Sequence, residues 1–266
     1  MAHSSNISIS STSSMPAIFV GHGSPLNAIS DNAFTRAWES LGALFAPRAI
    51  VGISAHYHTR GLRINSTPTP RQIYDMSGFP RALYELAYQP KGDPALAERL
   101  SKILSPFDAQ LEDSWGIDHG LWSVLCKMYK NADIPLVCLS VDLSASLESQ
   151  LAIGRVLSVL RQEGVMILAS GNIVHNLSLL EWEREDFGYP WALEFDRYII
   201  KRTLERDVQG LLEFEKIDGA RACVPTLDHF LPFLIAFGAS TPEDSINVFN
   251  RFYTCGVISM TSFVFA

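Results

Sequence analysis

The chain has 266 residues, 47% of them hydrophobic and 18% charged, with a formal net charge of -7. That balance supplies a substantial core and excludes a disordered chain, and the length suits one large α/β domain or two small ones. No basic block marks nucleic acid as a partner, and no apolar run reaches the roughly 18 residues of a membrane span.

Residues 1–14 are Ser-rich and lack the basic start and apolar core of a secretory signal, so a disordered tail is expected there, with His3 set aside as part of it. The run AIFV at 17–20 reads as a buried strand. Gly21 and Gly23 then flank His22, and Pro25 stops the strand. Such glycines let backbone or a bulky ligand approach the imidazole. Asp31 is expected to cap a helix carrying the apolar stripe Phe34, Ala37, Trp38, Leu41. RAIVGISA at 48–55 is a second buried strand leading to His56, Tyr57 and His58. A short strand at 62–66 precedes a Pro- and Gly-rich loop over 67–80, which holds Tyr74, Met76 and Phe79 and reads as a substrate wall or as core packing.

Helices are expected over 81–88 and from Asp93-Pro94, with Asp as N-cap and Pro in the first turn, to about 104. In WGIDHGLW, Gly116 and Gly120 bracket Asp118-His119 ahead of a further helix. IPLVCLSV at 134–141 is a third strand, 146–162 a helix closed by Gly164, and VMILAS at 165–170 a fourth strand with His175 just beyond it. Helices follow at 190–206 and 208–214, and Thr226 is expected to cap one that contains Asp228 and His229. The segments 246–253 and 257–265 read as a closing hairpin turned at Cys255-Gly256. Alternating strands and helices predict an α/β fold over 15–266: a single domain with a central mixed, largely parallel β-sheet flanked by helices. Cys126, Cys138, Cys223 and Cys255 include no CxxC pair and read as reduced thiols of a cytoplasmic protein.

Of the seven histidines, His22, His56 and His175 follow predicted strands, while His119 and His229 stand at helix starts. Strand ends of one sheet can converge on one crevice, and neutral imidazole is a ligand for Zn, Fe, Cu and Ni. A helix N-terminus near His229 disfavours imidazolium and keeps that ring ligand-competent. Taken singly, each of these histidines also reads as a polar cap or a hydrogen-bonded core group. His58 would share a face with His56 on an extended chain, so either one serves as ligand. Asp118 and Asp228 read as ligands, as orienters of imidazole N–H groups, or as helix caps, with orienting or capping preferred. The chain has no GxGxxG, P-loop, GxSxG or HExxH motif.

The motifs GHGSP, SAHYHTRG, YDMSGFPRALYEL, GDPALAERL, WGIDHGLWSVL, ADIPLVCLSVD, SGNIVHNL and TLDHFLPFLIAFGA occur in that order. Together they resemble the DOPA 4,5-dioxygenase type of extradiol ring-cleaving dioxygenase, within the class III superfamily typified by LigB. The resemblance covers nearly all of the chain from Met15 to Phe265 and implies a LigB-like fold. It further implies a non-haem Fe(II) enzyme that opens a catechol ring, of L-DOPA or a related catechol, with O2 to a muconic semialdehyde. It places metal binding on His22, His56 and His229, choosing His56 over His58. It places His175 as acid/base, or as a fourth ligand when zinc is bound, and His119 against substrate or dioxygen. LigB-like enzymes have a glutamate at the position of His229, so an all-histidine set here carries no protein charge and is also a good host for Zn(II).

The mechanism implied has His175 take a proton from the diol and His175 or His119 return one during ring opening. A zinc-dependent hydrolase using metal-activated water fits the histidines equally well. The loops 67–80 and 177–190 offer Arg71, Tyr74, Trp182, Arg184 and Tyr189 as pocket residues, with an arginine holding a substrate carboxylate or lying on the surface.

Overall fold

Runs of β-formers bounded by turn residues build the sheet around which the computed structural model is arranged; residues 14–184 and 186–266 are described. The tail expected at 1–14, with His3, lies outside them apart from Ser14. The strands are β1 (Ala17–Gly21), β2 (Ala49–Thr59), β3 (Arg63–Asn65), β4 (Gln110–Glu112), β5 (Leu136–Asp142), β6 (Val165–Gly171), β7 (Ile246–Phe249), β8 (Tyr253–Thr254), β9 (Ile258–Ser259) and β10 (Ser262–Phe265). The helices are α1 (Ala33–Leu44), α2 (Arg81–Glu85), α3 (Pro94–Ile103), α4 (His119–Met128), α5 (Leu147–Gln162), α6 (Pro190–Leu204), α7 (Val208–Leu212), α8 (Ala220–Cys223) and α9 (Leu231–Gly238).

The main sheet has the order β4-β3-β5-β2-β6-β1-β10-β7. Its centre, β5-β2-β6-β1, is parallel, and β10 pairs antiparallel with β1 and β7. The central strands are continuous apolar runs because both faces are covered. In β1, Ala17 and Phe19 enter one core and Ile18 and Val20 the other. In β6 the same alternation sends Val165, Ile167 and Ala169 one way and Met166 and Leu168 the other. Helices α3, α5, α6 and α9 cover the first face, and α1 and α4 the second. This is the expected single α/β domain with a mixed, largely parallel sheet.

Local chemistry explains where the expectations hold. Asp93 accepts the Leu96 N–H and Pro94 opens α3. Ser146 caps α5, and Gly164 closes it at φ +78°. Four expectations are corrected. Asn32, not Asp31, caps α1, through a reciprocal pair with Thr35; Asp31 instead pairs with Arg36 at 2.7 Å. Thr226 caps no helix, since α9 starts only at Leu231 behind a turn. The helix at 81–88 stops at Glu85. The closing hairpin is two nested pairs: β7 with β10 in the main sheet, and β8 with β9 turned at Cys255-Gly256 with positive φ at both. Among the described residues no helix is long and apolar enough to cross a membrane.

Candidate metal centre and its cavity

The parallel centre of the sheet brings the carboxyl ends of its strands to one edge, the usual place for a ligand crevice in open α/β sheets. His22 follows β1, His56 lies in the last part of β2, and His175 stands beyond β6. His119 is the first residue of α4, and His229 precedes α9. All five line one cavity of about 770 Å³. The nitrogens of His22, His56 and His229 lie within 4.8 Å of one another. His22 Nε2 and His56 Nε2 are 3.2 Å apart, and the His175 ring stacks on His229 at 3.5 Å.

The outer ring nitrogens decide what the inner ones can do. Ser170 spends its single hydroxyl proton on the Gly120 carbonyl at 2.5 Å, so toward His22 Nδ1, at 2.9 Å, it accepts. His22 therefore carries its proton on Nδ1. His229 Nδ1 donates to the Asp228 carboxylate at 2.5 Å. Both rings thus turn bare Nε2 lone pairs inward, and His229 Nε2 is buried without a hydrogen-bond partner among the described residues. Buried lone pairs aimed at one another repel, and an unpaired one is costly to leave. A cation among them removes both penalties, so the donor set fits a metal ion held by neutral imidazoles, as Zn(II) and Fe(II) are. A second group, His56, Asp75 and His119, shares His56 with the first. There, however, both Asp75 oxygens accept N–H groups of His119, at 2.9 and 2.8 Å.

Two glycines fit His22 into place, and of the two expected uses the structure shows the close approach of the protein's own chain. A Cβ on Gly21 would lie 2.8 Å from the Met260 carbonyl carbon, and one on Gly23 2.5 Å from the Met260 sulfur. The close neighbour is the protein's own 259–260 segment rather than a ligand. Gly23 also has φ +62°, which favours glycine. Asp228 is an orienter of its neighbour His229. Asp118 neither orients an imidazole nor caps α4 with its side chain; it accepts from Ser54 Oγ at 2.6 Å and Trp115 Nε1 at 3.0 Å. His58 is exposed, two residues outside the cavity. Of the loop residues proposed as pocket walls, Trp182 lines the cavity, with Met76, Phe79, Leu177 and Leu180. Arg71 bonds the Ser114 carbonyl, Arg184 lies over Phe187 beside Glu181, Tyr74 bonds the Leu86 carbonyl, and Tyr189 bonds Glu181. Neither arginine lines the cavity. Sequence reasoning missed Asp75 and Ser170; Asp75 and Arg71 are the only charged residues between Pro68 and Pro80, and that was the available signal.

Burial dominates the electrostatics. It pushes the His22 and His56 pKa values well below the ordinary histidine range, with the neighbouring imidazoles adding to the shift. Burial and then His229 lower His175 to about 3, so it does not titrate near neutrality. Burial also lowers His229, against the pull of Asp228. These rings are neutral when folded but take up protons at about 6.5 when unfolded. The unfolded state therefore binds more protons below that pH, and stability falls as pH falls. His175 alone contributes a loss of about 2 kcal/mol between pH 6.5 and 5. Asp118 and Asp196, each raised to about 6 chiefly by burial, act in the opposite sense over the same range. Four histidines outweigh two aspartates, so the metal-free protein is expected to melt at lower temperature at pH 5 than at pH 7. Thermal unfolding across that range checks this, and an unchanged or higher melting point at pH 5 would contradict it.

Comparison with known proteins gives a consistent set of likenesses. Residues 12–266 match the family described as the catalytic LigB subunit of aromatic ring-opening dioxygenase. A protein of Escherichia coli K12 named 4,5-DOPA dioxygenase extradiol is 43% identical over 259 residues, covering 96% of each chain. One of the same name from Beta vulgaris is 31% identical over 255 residues, 93% of this chain and 95% of that one. The crystal structure of an uncharacterized protein from Escherichia coli K12 superposes with a TM-score of 0.84 at 38% identity, covering 95% of this chain and 100% of that one.

Proposed function

This chain belongs to the LigB family of aromatic ring-opening dioxygenases, and on that premise we propose that it is a metal-dependent extradiol dioxygenase cleaving the ring of L-DOPA or a related catechol with O2 to a muconic semialdehyde. The observation that carries the reading is the convergence of His22, His56 and His229 on one buried point, inside a cavity that also holds His119 and His175. In this reading the three imidazoles hold Fe(II) through inward Nε2 atoms, with Ser170 and Asp228 fixing two of the rings from behind. Bound there, Fe(II) supplies the electronic coupling between the diol and dioxygen that ring cleavage requires. The same set accepts Zn(II).

The chain's own residues provide the rest. Met76, Phe79, Leu177, Leu180 and Trp182 form carbon-rich walls that hold an aromatic ring and shed water from it. His175 lines the cavity, stacked on His229, and is the ring placed to take the proton of a diol hydroxyl as the substrate binds. His119, on the cavity wall beside His56, is the second proton-handling group. The residues 15–266 would then form one catalytic domain.

Anaerobic reconstitution with Fe(II), followed by air and L-DOPA, tests the proposal. A yellow product with about one O2 consumed per catechol, absent with Zn(II), is expected. Silence across a catechol panel, with zinc the metal retained on purification, would move the reading to a hydrolase using metal-activated water, which three neutral imidazoles also suit. His175→Ala is expected to keep its metal and lose about 10²- to 10⁴-fold in kcat. Metal analysis beside steady-state kinetics checks it, and full activity in that variant removes His175 from proton transfer.

A further inference from the structure

The loop between β3 and α2 contributes one carboxylate to the cavity, that of Asp75, whose side chain is 13% exposed. Its Oδ1 accepts the backbone N–H of His119 at 2.9 Å. Its Oδ2 lies 2.8 Å from His119 Nδ1 and 3.5 Å from His56 Nδ1. The first backbone N–H groups of a helix have no partner inside the helix. At α4 the residue in the capping position, Asp118, sends its carboxylate to Ser54 and Trp115 instead. Asp75 thus caps α4 from a distant loop and grips the ring of its first residue with the same carboxylate.

The grip selects a tautomer. A carboxylate only accepts hydrogen bonds, so His119 must carry its proton on Nδ1. In the neutral ring Nε2 is then a bare lone pair, on a side chain that lines the cavity and whose ring centroid is 3.9 Å from that of His56. We propose that Asp75 is a positioning residue: it fixes His119 as the Nδ1–H tautomer and aims Nε2 at the bound catechol, while anchoring the 67–80 loop to the site. The proposal rests on the dioxygenase reading for what His119 touches, but the tautomer it assigns stands without that reading.

Asp75→Asn separates positioning from mere capping. The asparagine oxygen still accepts the His119 backbone N–H, so the helix start is kept. Its amide N–H₂ now faces His119 Nδ1 and forces the proton onto Nε2. Asparagine in place of an aspartate that orients a catalytic histidine lowers kcat about 10⁴-fold in a serine protease through the same inversion. Here a loss of about 10²- to 10⁴-fold in kcat is expected, with KM and metal content within about threefold of wild type.

The readout independent of turnover is ¹⁵N NMR of the ring nitrogens in the zinc-loaded, diamagnetic protein, with His119 assigned by its loss in His119→Gln. Wild type should show His119 protonated on Nδ1, and Asp75→Asn should show it on Nε2. A wild-type spectrum with the proton on Nε2 overturns the proposal, even if the asparagine variant does not fold. So does a variant whose tautomer inverts while kcat is unchanged. If wild type turns over no catechol but the tautomers behave as stated, the tautomer assignment stands and the dioxygenase reading falls.

Discussion

His229→Ala is expected to lose both the metal and turnover while the sheet remains folded. The ring is buried and its Nε2 has no partner among the described protein atoms, and on the proposed reading a metal ion takes that inward lone pair. Alanine leaves two imidazoles where three stood, too few to hold a divalent first-row metal against buffer and chelators. A milder change grades the effect. Asp228→Asn keeps the ligand but removes the carboxylate that fixes its tautomer, which should weaken metal binding by about 10- to 100-fold. Titration with a competing chelator, followed by metal analysis, reads both variants. Wild-type metal affinity in His229→Ala would remove His229 from the ligand set and leave the shared position of His56 as the centre to examine.

Gly171→Ala is the second large expected effect, and it reaches the same histidine through the backbone. A Cβ on Gly171 would overlap the His229 carbonyl oxygen and lie 3.3 Å from Pro232 Cγ. That carbonyl accepts the Asn172 N–H at 2.9 Å, so the end of β6 and the His229 turn are bonded side by side. Relief requires backbone to move, at a cost of about 1–3 kcal/mol. A control exists in Gly42→Ala, where the added carbon would overlap the Met128 carbonyl between α1 and α4. Both variants should lose several degrees of melting temperature, since about 1 kcal/mol shifts a domain of this size by 2–4 °C. Only Gly171→Ala should also lose metal affinity. Equal metal affinity in the two would mean that the His229 turn tolerates displacement from β6.

How much of this was legible in the sequence follows from what kind of interaction made each feature. The central strands were, because burial on both faces leaves an uninterrupted apolar run that punctuation by Gly and Pro delimits. The five cavity histidines were, because each follows a strand or opens a helix in the linear text, and the order of motifs tied them to one family. Asp75 was not: its partners are 44 residues away, and nothing local distinguishes a loop aspartate that grips a ring from one in water. The choice between Asp31 and Asn32 as cap turned on the reciprocal bond with Thr35, a one-residue matter of register. The nested C-terminal pairs read as one hairpin because β7, β8, β9 and β10 form a near-continuous stretch of strand-forming residues. Only pairing with β1 shows where the sheet resumes. Asp118 looked like a cap by position, and lost that role to the deeper pull of Ser54 and Trp115.

The placement of the histidines on separate strand ends also governs when the centre can exist during folding. His22 directly follows the first strand and His229 lies on the approach to the last helix, and the sheet that joins them is built from parallel, sequence-distant pairings. Such pairings form late and slowly, because loop closure precedes any contact energy. No short fragment of the chain holds the three rings, so a metal ion cannot nucleate this fold in the way it does a zinc finger. On the proposed reading the ion would instead bind the finished sheet and stabilise it by mass action, in proportion to the logarithm of its free concentration. Metal release under denaturant should therefore track global unfolding of the sheet rather than fraying of any one loop.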